Sequence, residues 1–199
     1  IVHLQPPYHG RRKPRSSPSD GERFWTADVV RSFEAMRQTI LAARTLLSVM
    51  LDESQSPVGV AGLSLGGAFC ATLTCLEPRF DFCAPLIAHM DMGALLRDAP
   101  VLGAMRKDLA RFGWTPRDFG AFFTRIGWDE LKPVIPTDRI LLFAAEEDHF
   151  FDADVLRAMW SRWGEPEIHW YPTSHMGFIP HMPSAIGHLR RFINGLSRP

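Results

Sequence analysis

Trp25, Val29, Phe33, Met36, Ile40, Ala43, Leu47 and Met50 recur at steps of three and four, the spacing that lines one face of an α-helix. Positions 26–51 therefore read as one long helix, with Thr26 or Asp28 available to its first turn and Pro57 beyond its end. Ahead of it, 6–22 is dense in Pro, Gly, Ser and Arg, which is loop composition. Ile1, Val2, His3, Leu4 and Gln5 read as a strand. Short apolar runs at 58–63, 82–88, 139–144 and 167–171 read as further strands. Helical patterns at 65–76, 153–163 and 184–196 lie between and after them, the first stopping before Pro78 and the last with Gly195 near its end. Strands alternating with helices predict an α/β fold with a mainly parallel sheet.

The stretch 92–136 has a different texture. Leu95, Leu96, Leu102, Met105, Leu109, Phe112, Phe119, Phe122, Phe123 and Ile126 are interrupted by Pro100, Gly113 and Pro116. Two or three short amphipathic helices fit that pattern, serving either as an apolar lid over a substrate or as the core of a helical insertion. The chain thus divides into core segments 1–91 and 137–199 around an insertion at 92–136.

Composition narrows the function. A chain of 199 residues suits about one domain, and 46% hydrophobic with 22% charged residues excludes general disorder. Lys plus Arg and Asp plus Glu are both 22, so the basic excess of a nucleic-acid binder is missing. No apolar run reaches the ~18 residues of a membrane span. Cys70, Cys75 and Cys83 are too few for a disulfide framework or a four-cysteine zinc site, so buried free thiols in a reducing, cytoplasmic setting are expected. The chain opens on Ile1 with no secretory pattern; a missing upstream piece is expected, with processing to a mature end as the alternative.

Gly62, Leu63, Ser64, Leu65, Gly66 and Gly67 fit G-x-S-x-G between a predicted strand and a predicted helix. There the Ser occupies a tight turn, and small residues two before and two after it avoid collisions. The Leu65 N–H would open the helix and face a developing oxyanion. A nucleophilic Ser needs a base and an orienting acid, in the order Ser, acid, His. His175 follows the last predicted strand, where α/β sheets present their sites. His169 lies within that strand, His188 within the closing helix, and His89 too early to follow the acid. Glu146, Glu147 and Asp148 are consecutive candidates for the acid. Asp148 precedes the apolar anchors Phe150 and Phe151 and is preferred, with Asp91 a second location.

The segments around Ser64, Asp148 and His175 resemble, in order, the three catalytic neighbourhoods of the α/β-hydrolase superfamily. Pro7, Tyr8, His9, Gly10, Arg11, Arg12, Lys13 and Pro14 further resemble a loop of the abhydrolase domain-containing eighteen type subgroup. The resemblance implies that 1–5 is the family's fourth strand, and that strands one to three and half of the oxyanion hole are missing from this chain. It also implies a helical cap at 92–136. The expected activity is serine hydrolysis of a carboxylic ester or related acyl bond in a small-molecule substrate. Ser64 would attack, His175 move the proton, Asp148 support the imidazolium and Leu65 meet the oxyanion, with no cofactor or metal. A peptidase or acyltransferase with the same three residues, or a silent fold used for binding, are the alternatives. Arg11, Arg12, Lys13 and Arg15 form a basic run, read as a solvated loop or as a clamp for an acidic substrate group.

Overall fold

A computed structural model describes residues 1–53, 55–99, 102–125 and 127–196. Pro100 and Ile126, both within the expected insertion, lie outside the described residues. The long helix α1 spans Val29–Glu53 and buries Met36, Ile40, Ala43 and Leu47, the stripe its periodicity predicts. Asp28 supports its start, with Oδ1 accepting from the Arg31 N–H at 3.0 Å. Four strands come after it: β1 Gly59–Leu63, β2 Phe82–Leu86, β3 Leu141–Glu147 and β4 Glu167–Ser174. They pair in that order, every neighbouring pair parallel. The connecting helices are α2 Leu65–Leu76, α3 Met92–Asp98, α4 Gly103–Arg111, α5 Pro116–Arg125 and α6 Ala153–Arg162, and α7 Met182–Gly195 closes the fold.

The continuous apolar run of β3 is explained by burial on both faces. Ile140, Leu142 and Ala144 join one cluster with Met36, Leu47, Phe69, Leu156 and Met159, from α1, α2 and α6. Leu141, Phe143 and Ala145 alternate to the other side, against Phe178, Ala185 and the α7 side chains Leu189 and Phe192. The result is a sheet between two helical layers. Between β2 and β3, Leu95, Leu96, Leu102, Met105, Leu109, Phe119 and Phe123 bury one another with Ala68 and Phe151. These apolar residues therefore pack against one another among the short helices between β2 and β3, while Phe112 stays 72% exposed.

One expectation fails. Ile1, Val2, His3, Leu4 and Gln5 form irregular chain outside the sheet. A strand exists only where a ladder partner takes its N–H and C=O groups. Gln5 instead serves the next turn, accepting from Arg11 N–H at 3.2 Å and from the Arg12 guanidinium at 3.0 Å, and Ile1 and Val2 stay exposed. The basic run is likewise engaged locally: the Lys13 ammonium donates to the Ser17 carbonyl at 2.7 Å and Arg12 to Gln38 at 3.4 Å.

Glu77 caps the far end of α2 and is 1% exposed. Its carboxylate accepts from Arg79 Nε and Nη2, both at 2.8 Å, and from Arg44 Nε on α1 at 2.9 Å. Those bonds, Arg79 first, hold its pKa down at about 2. The three cysteines are buried and unbridged, and burial pushes the Cys75 thiol up to about 12.

Candidate active site

Parallel strands place all their carboxyl ends at one rim, and the expected site residues emerge there. Ser64 follows β1 directly with φ 55° and ψ −118°, a left-handed conformation that a side chain adopts only when its surroundings enforce it. Two backbone bonds enforce it here. Ser64 N–H donates to Leu86 C=O on β2 at 3.0 Å, and Ser64 C=O accepts from Ala68 N–H on α2 at 2.9 Å. The turn is tight enough that a Cβ on Gly62 would collide with the Gly66 carbonyl, and one on Gly67 would lie 2.6 Å from Leu86 O. A Cβ on Gly66 would meet nothing within 4 Å. The crowded positions are therefore Gly62, two before Ser64 as expected, and Gly67, three after it, in place of Gly66. Ser64 stands at the N-cap of α2, yet its hydroxyl makes no cap bond. Leu65 opens the helix, among the amides that have no intrahelical partner.

The hydroxyl turns to the base. Ser64 Oγ lies 2.9 Å from His175 Nε2, and His175 Nδ1 lies 2.7 Å from Asp148 Oδ2. Residues 111 and 27 positions apart in sequence thus form one hydrogen-bonded chain. His175 follows β4, which runs to Ser174 rather than ending at 171. A register shift at Ala145 and Glu147 sits where β3 and β4 deliver Asp148 and His175, the place where a bulge re-aims side chains. Glu146 and Glu147 are exposed, whereas Asp148 is 5% and His175 7% exposed. Asp148 Oδ1 accepts from the Phe150 and Phe151 amides at 2.7 and 2.9 Å, which leaves Oδ2 to the imidazole. Both phenyl rings stack on His175, with centroids 4.7 and 5.7 Å away and planes 20° apart. The rings help bury the imidazole on its Asp148 side, and a low local dielectric strengthens that hydrogen bond.

Asp91 is committed elsewhere, capping α3 through Ala94 N–H at 2.8 Å. His169 binds Glu167 and packs its ring 3.7 Å from that of His188, so both brace β4 against α7. The stacking role of Phe150 and Phe151 goes beyond the loop-anchoring their composition implied. His89 was set aside on chain order, yet it is buried beside Phe151; no local pattern signals that. Among the described residues no group of three or more His, Cys, Asp or Glu is placed to hold a metal, and no helix is long and apolar enough to cross a membrane.

No protein-family model matches the chain. An uncharacterised protein of Mycobacterium tuberculosis, found in two strains, is 30% identical over 193 residues. The match takes in 94% of this chain, which spans 43% of the length of those curated relatives. Among solved structures, an acetyl xylan esterase from Paenibacillus superposes with a TM-score of 0.59 at 16% identity, covering 82% of this chain and 54% of that one. An acylaminoacyl peptidase of Pyrococcus horikoshii gives 0.57 at 12%, covering 81% and 27%. An esterase of Pyrococcus furiosus gives 0.51 at 14%, covering 79% and 61%. The fold these chains share with this one is the α/β-hydrolase fold.

Proposed function

We propose that this chain carries the reaction centre of a serine hydrolase that cleaves a carboxylic ester or related acyl bond. One observation carries the reading: a buried carboxylate, an imidazole and a strained serine hydroxyl in a single hydrogen-bonded line. In the proposed reaction His175 Nε2 takes the Ser64 proton as Oγ attacks the acyl carbon. Asp148 accepts from Nδ1–H, which keeps Nε2 free to act as base and stabilises the imidazolium that forms. The Leu65 N–H, at the positive end of α2, meets the oxyanion. His175 returns the proton to the leaving alcohol, and water then repeats the sequence on the acyl-enzyme. The helices inserted between β2 and β3 in the chain are read as a cap. The narrower subgroup resemblance of the 7–14 loop has no support among these relatives and carries no part of this reading. An amide substrate would engage the same atoms, so leaving-group preference is a separate measurement.

The test is covalent labelling of the full-length protein with a fluorophosphonate. The expected result is one adduct on Ser64 that disappears in Ser64→Ala. A folded wild-type protein that takes no label at Ser64 refutes the proposal.

A further inference from the structure

His89 follows β2 and is 1% exposed, among the most buried polar side chains of the fold. Its Nδ1 accepts the Asp91 N–H at 3.2 Å. The neutral ring therefore carries its proton on Nε2, and among the described residues Nε2 has no hydrogen-bond partner. Leaving a buried donor unmatched is costly, and an apolar side chain of similar size would avoid the cost. The contacts of this ring give it a use. Its centroid lies 5.2 Å from that of Phe151, with the planes at 69°, an edge-to-face contact. Phe151 in turn stacks on His175, and its amide holds Asp148 Oδ1.

We propose that His89 is a positioning residue for this site: by bracing the Phe151 ring it fixes, through one residue, both the plane of His175 and the carboxylate of Asp148. This inference rests on the serine-hydrolase reading. The local charges fit the role. Asp91, Asp148 and Asp152 favour a charged ring and Arg97 opposes it, but burial prevails and holds the His89 pKa down at about 4. A neutral His89 leaves Asp148 committed to His175, where a charged one would compete for the same carboxylate. Nothing in this role requires His89 to touch substrate.

The experiment compares wild type, His89→Ala and His89→Phe in the full-length protein, using hydrolysis of a short acyl ester. Rates are expressed per site titrated by the fluorophosphonate, so that unfolded protein does not count. His89→Ala removes the brace and is expected to lower kcat by about 10-fold or more, with KM within about twofold, because small misalignments of reacting groups act on the barrier. His89→Phe restores an aromatic face against Phe151 and recovers most of the rate. Wild-type kcat per site in His89→Ala overturns the proposal, and so does a His89→Phe variant as slow as His89→Ala. Absence of label on wild type would remove the serine-hydrolase reading itself, a different failure from a labelled but unaffected His89→Ala.

Discussion

Replacing Asp148 by Asn changes one atom, and the surrounding geometry dictates what that atom does. The Phe150 and Phe151 amides both point donors at Oδ1, at 2.7 and 2.9 Å. The Asn carbonyl oxygen must face them, because a flipped side chain would set its own NH2 against two N–H groups. The NH2 then takes the place of Oδ2, 2.7 Å from His175 Nδ1. A donor there requires an unprotonated Nδ1, which sends the imidazole proton to Nε2 and leaves that nitrogen unable to accept from Ser64. The base is lost through the wrong tautomer with hardly any change in shape. The same substitution in a serine protease costs about 10⁴-fold in kcat, or ~5.5 kcal/mol at ~1.36 kcal/mol per tenfold. Loss of comparable size is expected here, with a stability change of only about 1–2 kcal/mol from weaker bonds to the two amides. The assay is steady-state ester hydrolysis, paired with thermal unfolding and with Glu146→Gln as control, because Glu146 is exposed. Asp148→Asn within tenfold of wild type, or Glu146→Gln falling as far, would refute the assignment of the acid.

Ser64→Ala should lower turnover about 10³-fold or more and leave the unfolding midpoint nearly unchanged, since one hydroxyl is lost and little buried area; full activity would sink the nucleophile. Gly62→Ala should destabilise the fold by about 1–3 kcal/mol, whereas Gly66→Ala, with open space around it, should be mild; denaturant titration of the pair reads the difference. For Glu77 the folded carboxyl is held at about 2 against an ordinary 4.5. A depressed folded pKa means its stabilisation is full above 4.5 and is lost as pH falls toward 2. The ceiling is about 3 kcal/mol at ~1.36 kcal/mol per pH unit, and less in practice because Arg44 and Arg79 stand half in water. Unfolding measured from pH 5 to 2 should show this decline in wild type and a flatter curve in Glu77→Gln.

Where structure arises from nearest-neighbour chemistry, the sequence was readable. The helix predicted at 65–76 is α2 to the residue, because a glycine-flanked turn starts it and Pro78 blocks its continuation. Asp148 was separable from Glu146 and Glu147 because only it precedes two aromatics that could bury it. The misreadings all involve partners distant in sequence. The strand read at 167–171 runs on through Pro172 to Ser174, because β4 lies at the edge of the described sheet beside a register shift, where a missing N–H is tolerated. The 1–5 run has strand composition and no ladder partner among the described residues, and composition cannot supply one. After Ser64 the crowded glycine is Gly67 and not Gly66, because a carbonyl from β2 approaches it, and no spacing rule within the motif encodes that approach. His89 owes its place to Phe151, which arrives from the far side of the helical insertion.

That insertion also governs how the site comes into being. The strand order matches the chain order, so each pairing needs a loop to close, and closure costs more as the loop lengthens. The loop joining β2 to β3, residues 87–140, is the longest between neighbouring strands. It divides the molecule into an early half that presents Ser64 and a late half in which β3 and β4 bring Asp148 and His175 together. Each half can gather its own local contacts before the β2–β3 pairing is made, and non-local pairings are the slow ones. Return of reactivity at Ser64 during refolding therefore clocks the meeting of the two halves, and should lag behind the recovery of helical signal.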